Sequence, residues 1–360
     1  MQAYRPERIV VEKGCEGLAM TRRILERLPG LPVEICDDLD PAIRALGREA
    51  DPVSEGKKCL IISKYSGAFL KKCPGTQGFV CCNYLVLNAA TGCPLDCSYC
   101  ILQEYLFNNP ALRIFANTDA MFAQLKEWLA KSQGRDLRIG TGELTDSLAL
   151  DPITGFSREL VTFFGRQDRA VLELKTKTDH VEDLLDLPHH GRTVVAWSVN
   201  PDHLIESHEE GSASLKDRLS AARRCIAAGY RIAFHFDPIL FDLGWETSYL
   251  DLVDQVFSSI SVESVSWVSL GGLRFPQSLK RIIGTRFPQS RLMAGEMVPC
   301  PDNKLRYIRP IRVQGYREMV RRIRTHGPEV PVYLCMESRE VWEAVFGNGP
   351  AGVRNLAGIF

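Results

Sequence analysis

The segment Asn83-Tyr-Leu-Val-Leu-Asn-Ala-Ala-Thr-Gly-Cys-Pro-Leu-Asp-Cys-Ser-Tyr-Cys100 sets the reading of the whole chain. Asn83–Asn88 has the apolar run of a buried strand. The loop after it carries Cys93, Cys97 and Cys100 at C-x3-C-x2-C spacing. Three thiolates so close together can grip one face of an iron–sulfur cluster. Four cysteines are the norm for a [4Fe–4S] centre, so three leave one iron open to an outside ligand. The same residues leave open a structural zinc site completed by a distant histidine. Zinc sites usually pair C-x2-C with a second such pair downstream, and none is present.

Outward from this segment the chain alternates strand-like and helix-like stretches. Downstream, strands are expected at Leu112–Ala116, Leu137–Ile139, Val171–Lys175, Thr193–Val199, Arg231–Phe236 and Ser264–Leu270. Helical periodicity lies between most of them, at Asp119–Lys131, Gly155–Phe164, His180–Leu185, Ser214–Ala228 and Thr247–Ile260. Parallel strands need long crossover connections, so the pattern predicts a parallel sheet. Six or seven units are too few for a closed eight-unit barrel. The expected fold is therefore α/β, a partial (β/α)6-type TIM barrel with its chemistry at the strand C-termini. Upstream, strands Arg8–Glu12, Val33–Cys36 and Cys59–Ser63 with helices Gly17–Leu28 and Pro41–Arg48 predict a small N-terminal α/β lobe. A loop rich in Gly, Pro and Lys, 64–77, follows it. The expected domains are a lobe at 1–80, a barrel at 81–275 and a basic region at 276–360 that completes the barrel. The stretch from Met336 to Trp342 reads as a short helix.

The 360 residues are 45% hydrophobic and 24% charged, which excludes a disordered or fibrous chain. No run of roughly 18 uncharged apolar residues is present, so no membrane span is expected. The N-terminus has no apolar signal region, and the expected address is the cytoplasm. Twelve cysteines without an export signal point to metal or reactive thiols rather than disulfides. Cys59, Cys73, Cys81 and Cys82 fit no ligand spacing and read as core or incidental thiols. Lys+Arg and Asp+Glu are equal at 44 each, yet residues 271–325 hold 13 basic and 3 acidic residues. Such asymmetry marks either a solvated face or one that meets a polyanion.

Gly140-Thr-Gly-Glu143 follows the strand at 137–139. Glycines let a backbone approach a ligand, and a carboxylate suits an ammonium. Alone such a segment is usually an ordinary turn, and one strand after a cysteine loop it is a candidate ligand contact through Gly142 and Glu143. His235 and Asp237 end another strand and either could point into the barrel mouth, although a satisfied core histidine is the commoner state. Nothing local decides whether Glu246 faces the pocket.

The C-x3-C-x2-C loop with Tyr99 before its last cysteine resembles the radical S-adenosylmethionine (SAM) superfamily. Leu102-Gln103, Arg113–Asn117, Lys175–Val181, Trp197–Asn200, Arg218–Arg223, Ala228–Tyr230, Pro238-Ile239, Gly244–Glu246, Arg274-Phe275, Arg286–Pro288 and Arg291-Leu292 narrow the resemblance to the spore photoproduct lyase family. It runs from about residue 7 to about residue 292. The resemblance implies a [4Fe–4S] cluster on Cys93, Cys97 and Cys100, and SAM bound with help from Gly142, Glu143, Lys177 and Ser198. It implies a 5′-deoxyadenosyl radical that abstracts hydrogen from a methylene-bridged thymine dimer in DNA. It further implies a one-electron donor such as flavodoxin or ferredoxin, and a monomer. A flipped lesion would need the duplex held, for which the basic residues Arg274, Lys280, Arg281, Arg286, Arg291, Arg306, Arg309 and Arg312, with Tyr307 among them, are candidates.

Two positions depart from the family. Its DNA-repairing members carry a hydrogen-donating cysteine where this chain has Gly140, and a relay tyrosine where it has Ile101. Neither residue has an O–H or S–H to give. Tyr99 is retained and is the catalytic candidate. Cys300 and Cys335 are alternative donors, a buried core thiol being the usual state of such residues. The first expectation is a radical SAM lyase acting on a DNA photoproduct. Its rivals are a radical enzyme with a non-DNA substrate and a non-catalytic metal-containing nucleic-acid-binding protein.

Overall fold

The described strands form two large sheets, a two-stranded ladder and a small three-stranded antiparallel sheet. In the computed structural model, which describes residues 1–73, 75, 78–80, 82–132 and 136–347, an eight-stranded sheet makes the body of the molecule. Its order is Val332–Leu334, Val265–Gly272, Arg231–Ile239, Thr193–Ser198, Ala170–Thr176, Leu137–Gly140, Leu85–Leu87 and Leu70–Lys72. Every neighbouring pair is parallel except the last, where Leu70–Lys72 runs antiparallel to Leu85–Leu87. The sheet ends at two edges, so it is the open, partial barrel that the sequence predicts. Thr193–Ser198 and Val265–Gly272 are buried at every residue, as expected for strands covered on both faces. Helices Phe156–Phe164, Leu215–Ala227, Trp245–Ser259 and Arg309–His326 lie along the chain between or beyond these strands. Ser214 starts the second of them by accepting the Asp217 N–H at 3.1 Å.

The N-terminal lobe is larger than the sequence suggests. Its five strands run Val33–Cys36, Arg8–Glu12, Cys59–Ser63, Leu112–Phe115 and Ala90–Thr91. The segment 112–116, read as a barrel strand, instead pairs in parallel with Cys59–Ser63, Leu60 opposite Leu112. Ala90–Thr91 closes that sheet antiparallel, so the lobe takes residues from beyond position 80. Strand character was legible, but the choice of partner depends on which apolar face needs covering. Ile9, Ile62, Leu112 and Ile114 pack on one side of this sheet with Leu150 and Ile153, which come from the barrel segment. Val10, Ile61 and Ala111 form the other face.

Smaller differences have local causes. The helix expected at 180–185 is one 3-10 turn, Glu182–Leu184, in a short connection that reaches Pro188. The C-terminal helix expected from Met336 begins at Arg339 and extends to Phe346. Pro52–Lys57 forms an unanticipated helix, with Asp51 accepting from Val53 and Ser54 N–H and Pro52 at the first turn. Part of the 64–77 loop is the edge strand Leu70–Lys72, while Pro74, Thr76 and Gln77 lie outside the described residues. Among the described residues no helix is long and apolar enough to cross a membrane.

Candidate active site

The cysteine loop is held from several directions. Gly92 precedes it with φ +86°, and a Cβ there would lie 2.8 Å from Leu112 Cδ2, so this turn requires glycine. Asp96–Cys97 pairs antiparallel with Glu209–Glu210, and Ser98 N donates to His208 O at 2.9 Å. Gln103 Nε2 donates to the carbonyls of Cys97 at 3.4 Å, Ser98 at 2.9 Å and Cys100 at 3.2 Å. From the N-terminal lobe, Lys57 Nζ donates to Cys93 O at 3.2 Å and to Leu95 O, and pairs with Asp96 at 3.1 Å. From the far side, Arg286 pairs with Asp96 at 2.8 Å.

With its backbone fixed in this way, the loop turns Cys93, Cys97 and Cys100 onto the wall of one open cavity of about 300 Å³. All three are free thiols. Burial pushes the Cys97 thiol up to about 12 and raises Cys93 as well. The protons therefore stay until a metal replaces them. Among the described residues no three Cys, His, Asp or Glu side chains already converge on one metal position. The donor set still fits an iron–sulfur centre: three soft ligands on a pinned loop, beside space at the strand C-termini.

The other candidates named for the cofactor meet the cysteines here. Gly142, Glu143, Lys177, Ser198 and Tyr99 all line the same cavity. A Cβ at Gly142 would press on Lys175 Cβ at 3.1 Å and Lys175 O at 3.2 Å, so the turn packs close against the neighbouring strand. The Glu143 carboxylate sits 3.5 Å from Lys175 Nζ and is partly exposed to the cavity. Tyr99 is the centre of a buried network. Its hydroxyl donates to Glu209 and accepts from Lys177 Nζ at 2.5 Å. Glu209 also accepts from Lys177 at 3.0 Å, Asn200 at 2.8 Å and Arg218 at 2.5 Å. Burial would raise the Glu209 carboxyl, but Lys177 and Arg218 outweigh it and hold it well below the usual carboxylate range. Burial opposes the Lys177 charge, but the Glu209 carboxylate beside it keeps its pKa raised. Burial and Glu209 together keep the Tyr99 phenol protonated. Arg218 Nη1 donates to Ser198 O at 2.8 Å, tying the strand end to the same network.

Sequence reasoning missed Glu209, Asn200 and Lys175. Lys175, Asn200 and Arg218 stood in quoted segments but were given no role, and Glu209 stood in none. Asp237 and Arg274 also line the cavity, as a bidentate pair at 3.0 and 3.2 Å. His235 is a satisfied core histidine, its Nε2 2.7 Å from Glu173 Oε1. Burial pushes Glu173 up, but Arg138 and His235 bring it down to about 2. Glu246 is exposed and accepts from Gln314, away from the cavity.

Gly140 has a steric reason. A Cβ there would collide with the Tyr84 hydroxyl and lie 2.7 Å from Tyr84 Cζ and 2.8 Å from Glu173 O. The Tyr84 ring thus fills the space a side chain at 140 would need, and among the described residues its buried hydroxyl has no hydrogen-bond partner. Ile101 lines the cavity as an apolar wall. Of the other thiols, Cys73, read as incidental, lines the cavity, whereas Cys300 and Cys335 are not among its lining residues. Cys59 is in the lobe core, Cys82 packs against the barrel core, and Cys81 lies outside the described residues.

The basic block is less of a face than its charge sum suggests. Arg306 is buried and paired with Asp302 at 2.5 Å, and Arg312 is buried and paired with Glu337 at 2.9 Å. Arg286 and Arg274 are likewise paired, and Tyr307 is buried. Lys280, Arg281, Arg291 and Arg309 are exposed. The structure therefore divides the candidate DNA contacts into four exposed cations and a set engaged inside the protein.

A family model described as spore photoproduct lyase matches residues 80–300. Spore photoproduct lyase of Geobacillus sp. strain Y412MC61 is 33% identical over 205 residues, which cover 56% of this chain and 60% of that protein. Its counterpart in Bacillus subtilis strain 168 is 30% identical over 209 residues, covering 58% and 61%. The matched segment thus spans about three-fifths of these curated relatives. The fold matches a solved spore photoproduct lyase variant with bound AdoMet and dinucleoside spore photoproduct at a TM-score of 0.83 and 24% identity, covering 93% of this chain and 100% of that one.

Proposed function

This chain belongs to the spore photoproduct lyase family, and on that premise we propose that it is a radical SAM enzyme that repairs a methylene-bridged thymine dimer in DNA. The observation that carries the reading is the single cavity onto which three loop thiols, Gly142, Glu143, Lys177 and Ser198 all open. Cys93, Cys97 and Cys100 would hold a [4Fe–4S] cluster, leaving one iron for SAM. Bound there, cluster and SAM would supply the hydrogen-abstracting radical chemistry. The protein's own share is placement. Glu143 offers a carboxylate to the SAM ammonium, and Gly142 lets the backbone come close. Glu209, Lys177 and Asn200 hold the Tyr99 hydroxyl at the cavity wall, Asn200 Nδ2 donating to it at 3.4 Å. Lys280, Arg281, Arg291 and Arg309 are the cations free to meet a DNA backbone. We propose a cytoplasmic monomer that draws electrons from a carrier such as flavodoxin or ferredoxin.

A radical enzyme acting on a different substrate is the second reading. Gly140 favours it, because the structure has closed that position with Tyr84. The deciding assay measures 5′-deoxyadenosine formed by anaerobically reconstituted protein with SAM and reductant, with and without lesion-bearing DNA. Lesion-dependent formation with thymine release is expected. Formation indifferent to the lesion would favour the second reading, and a protein that holds iron but forms none would leave only a binding role.

A further inference from the structure

We infer that Arg286 is a positioning residue for the cysteine loop, holding the three thiols in the arrangement a cluster needs, and not a nucleic-acid contact. The inference rests on the cluster-binding part of the proposed function. Arg286 is the last residue of the helix Gln277–Arg286, and its side chain is only 7% exposed. Its Nη2 donates to both oxygens of Asp96, at 2.8 and 3.1 Å, and to Ser54 Oγ at 2.9 Å. Its Nε donates to the Asp51 carboxylate at 3.0 Å, and its Nη1 donates to Gln103 Oε1.

These partners are not interchangeable surface acceptors. Asp96 lies inside the loop, between Cys93 and Cys97. Gln103 is the residue whose amide ties the carbonyls of Cys97, Ser98 and Cys100. Arg286 therefore grips the loop directly at one end and through Gln103 at the other, and anchors both to Asp51 of the N-terminal lobe. Its contacts come from residues 183 to 235 positions away. A planar fork with five N–H groups can meet two carboxylates, a hydroxyl and an amide at once, and an ammonium cannot. These partners take four of the five N–H groups on a side chain that is 7% exposed, so at most one N–H remains for a phosphate. Partners beyond the ligands commonly change metal affinity by about 10- to 100-fold, which is the scale expected here.

The test uses the full chain, reconstituted anaerobically, as wild type, Arg286→Gln, Arg286→Lys and Asp96→Asn. Iron and sulfide per chain, iron release to a chelator, the EPR spectrum of the reduced protein and thermal unfolding are read together with the salt dependence of binding to undamaged duplex DNA. Arg286→Gln is expected to release iron at least about tenfold faster and to alter the EPR spectrum. Arg286→Lys should recover part of the loss, and the salt slope for DNA should not move. Iron retention and EPR unchanged in folded Arg286→Gln would overturn the inference. So would a salt slope reduced by about one with iron unaffected, which would make Arg286 a phosphate contact. Should Arg286→Gln fail to fold, Asp96→Asn decides, since it removes the loop's own end of the grip. There a wild-type EPR spectrum and iron retention overturn the inference. A wild type that never holds iron would sink the proposed function and this inference with it. A wild type that holds iron yet ignores the lesion would touch only the choice of substrate.

Discussion

Two segments wall the same cavity and are built in opposite ways. The cysteine loop depends on Lys57, Glu209 and Arg286, which come from the N-terminal lobe, a mid-chain ladder and a C-terminal helix. The segment from Gly140 to Leu150 supports itself. Asp146 accepts from its own Leu148 and Ala149 N–H at 2.9 Å, and from Thr176 Oγ1 at 2.7 Å and Lys177 N at 2.8 Å on the adjoining strand. Ser147 Oγ accepts from Lys175 N at 3.0 Å. The cysteine side of the cavity is thus open to damage from substitutions across the chain, and the Gly140–Leu150 side mainly from its near neighbours.

The largest expected effect tests the remote support. Glu209→Gln would leave the fully buried Arg218 without its carboxylate partner, and Lys177 with it. Breaking such a pair from one side costs about 3–5 kcal/mol. Urea unfolding should show a loss of that size, together with poorer iron retention. A variant as stable as wild type would break the comparison, because the loop would then hold its shape without the ladder's ion pairs.

Next comes a pH effect at the end of the local segment. Burial raises Asp151 from 3.8 to about 6, against two hydrogen bonds from Ser157 that pull it down. A carboxyl whose folded pKa is raised favours folding most when protonated. Its contribution is complete below about pH 4 and is lost as pH rises through about 6. Relative to Asp151→Asn, the wild type should lose up to about 3 kcal/mol between pH 4 and pH 7. Parallel stability curves for the two proteins would show that Asp151 titrates as an ordinary carboxyl.

The smallest effects sharpen the account of Gly140. Gly140→Cys should cost about 1–3 kcal/mol by overpacking against Tyr84. Tyr84→Phe alone should be within about 1 kcal/mol of wild type, since the hydroxyl it removes is buried without a partner among the described residues. Combined with Gly140→Cys, it should recover part of the loss. Thermal unfolding of the three variants reads this directly. A freely tolerated cysteine would mean that the Tyr84 ring yields.

Much of the barrel was legible because its signal is local. The strands at 137–140, 170–176, 193–198, 231–239 and 265–272 lie where apolar runs alternate with helical periods. The cysteines, Gly142 and Glu143 were named from short motifs, Lys177 and Ser198 from the family resemblance, and the fold brings all of them to one cavity. Other parts were not legible. Leu112–Phe115 has the composition of any buried strand, and only the apolar face shared by Ile62 and Ile114 assigns it to the lobe. Glu209 is one acid in a pair, Glu209-Glu210, and nothing in its neighbours says which of the two lies under Arg218. Asp237 and Arg274 are likewise ordinary charges until the sheet places them face to face.

The sequence by itself determined the donor set and the kind of chemistry. Spacing within a ten-residue loop fixes which thiols can share a metal, and a period of two or 3.6 fixes which faces are apolar. The tertiary structure alone decided how charges are matched. A count of 13 basic and 3 acidic residues at 271–325 suggests a positive face, yet Arg274, Arg286, Arg306 and Arg312 all turn inward to carboxylates. An ion pair depends on separation in space, and Asp96 meets Arg286 across 190 residues of chain.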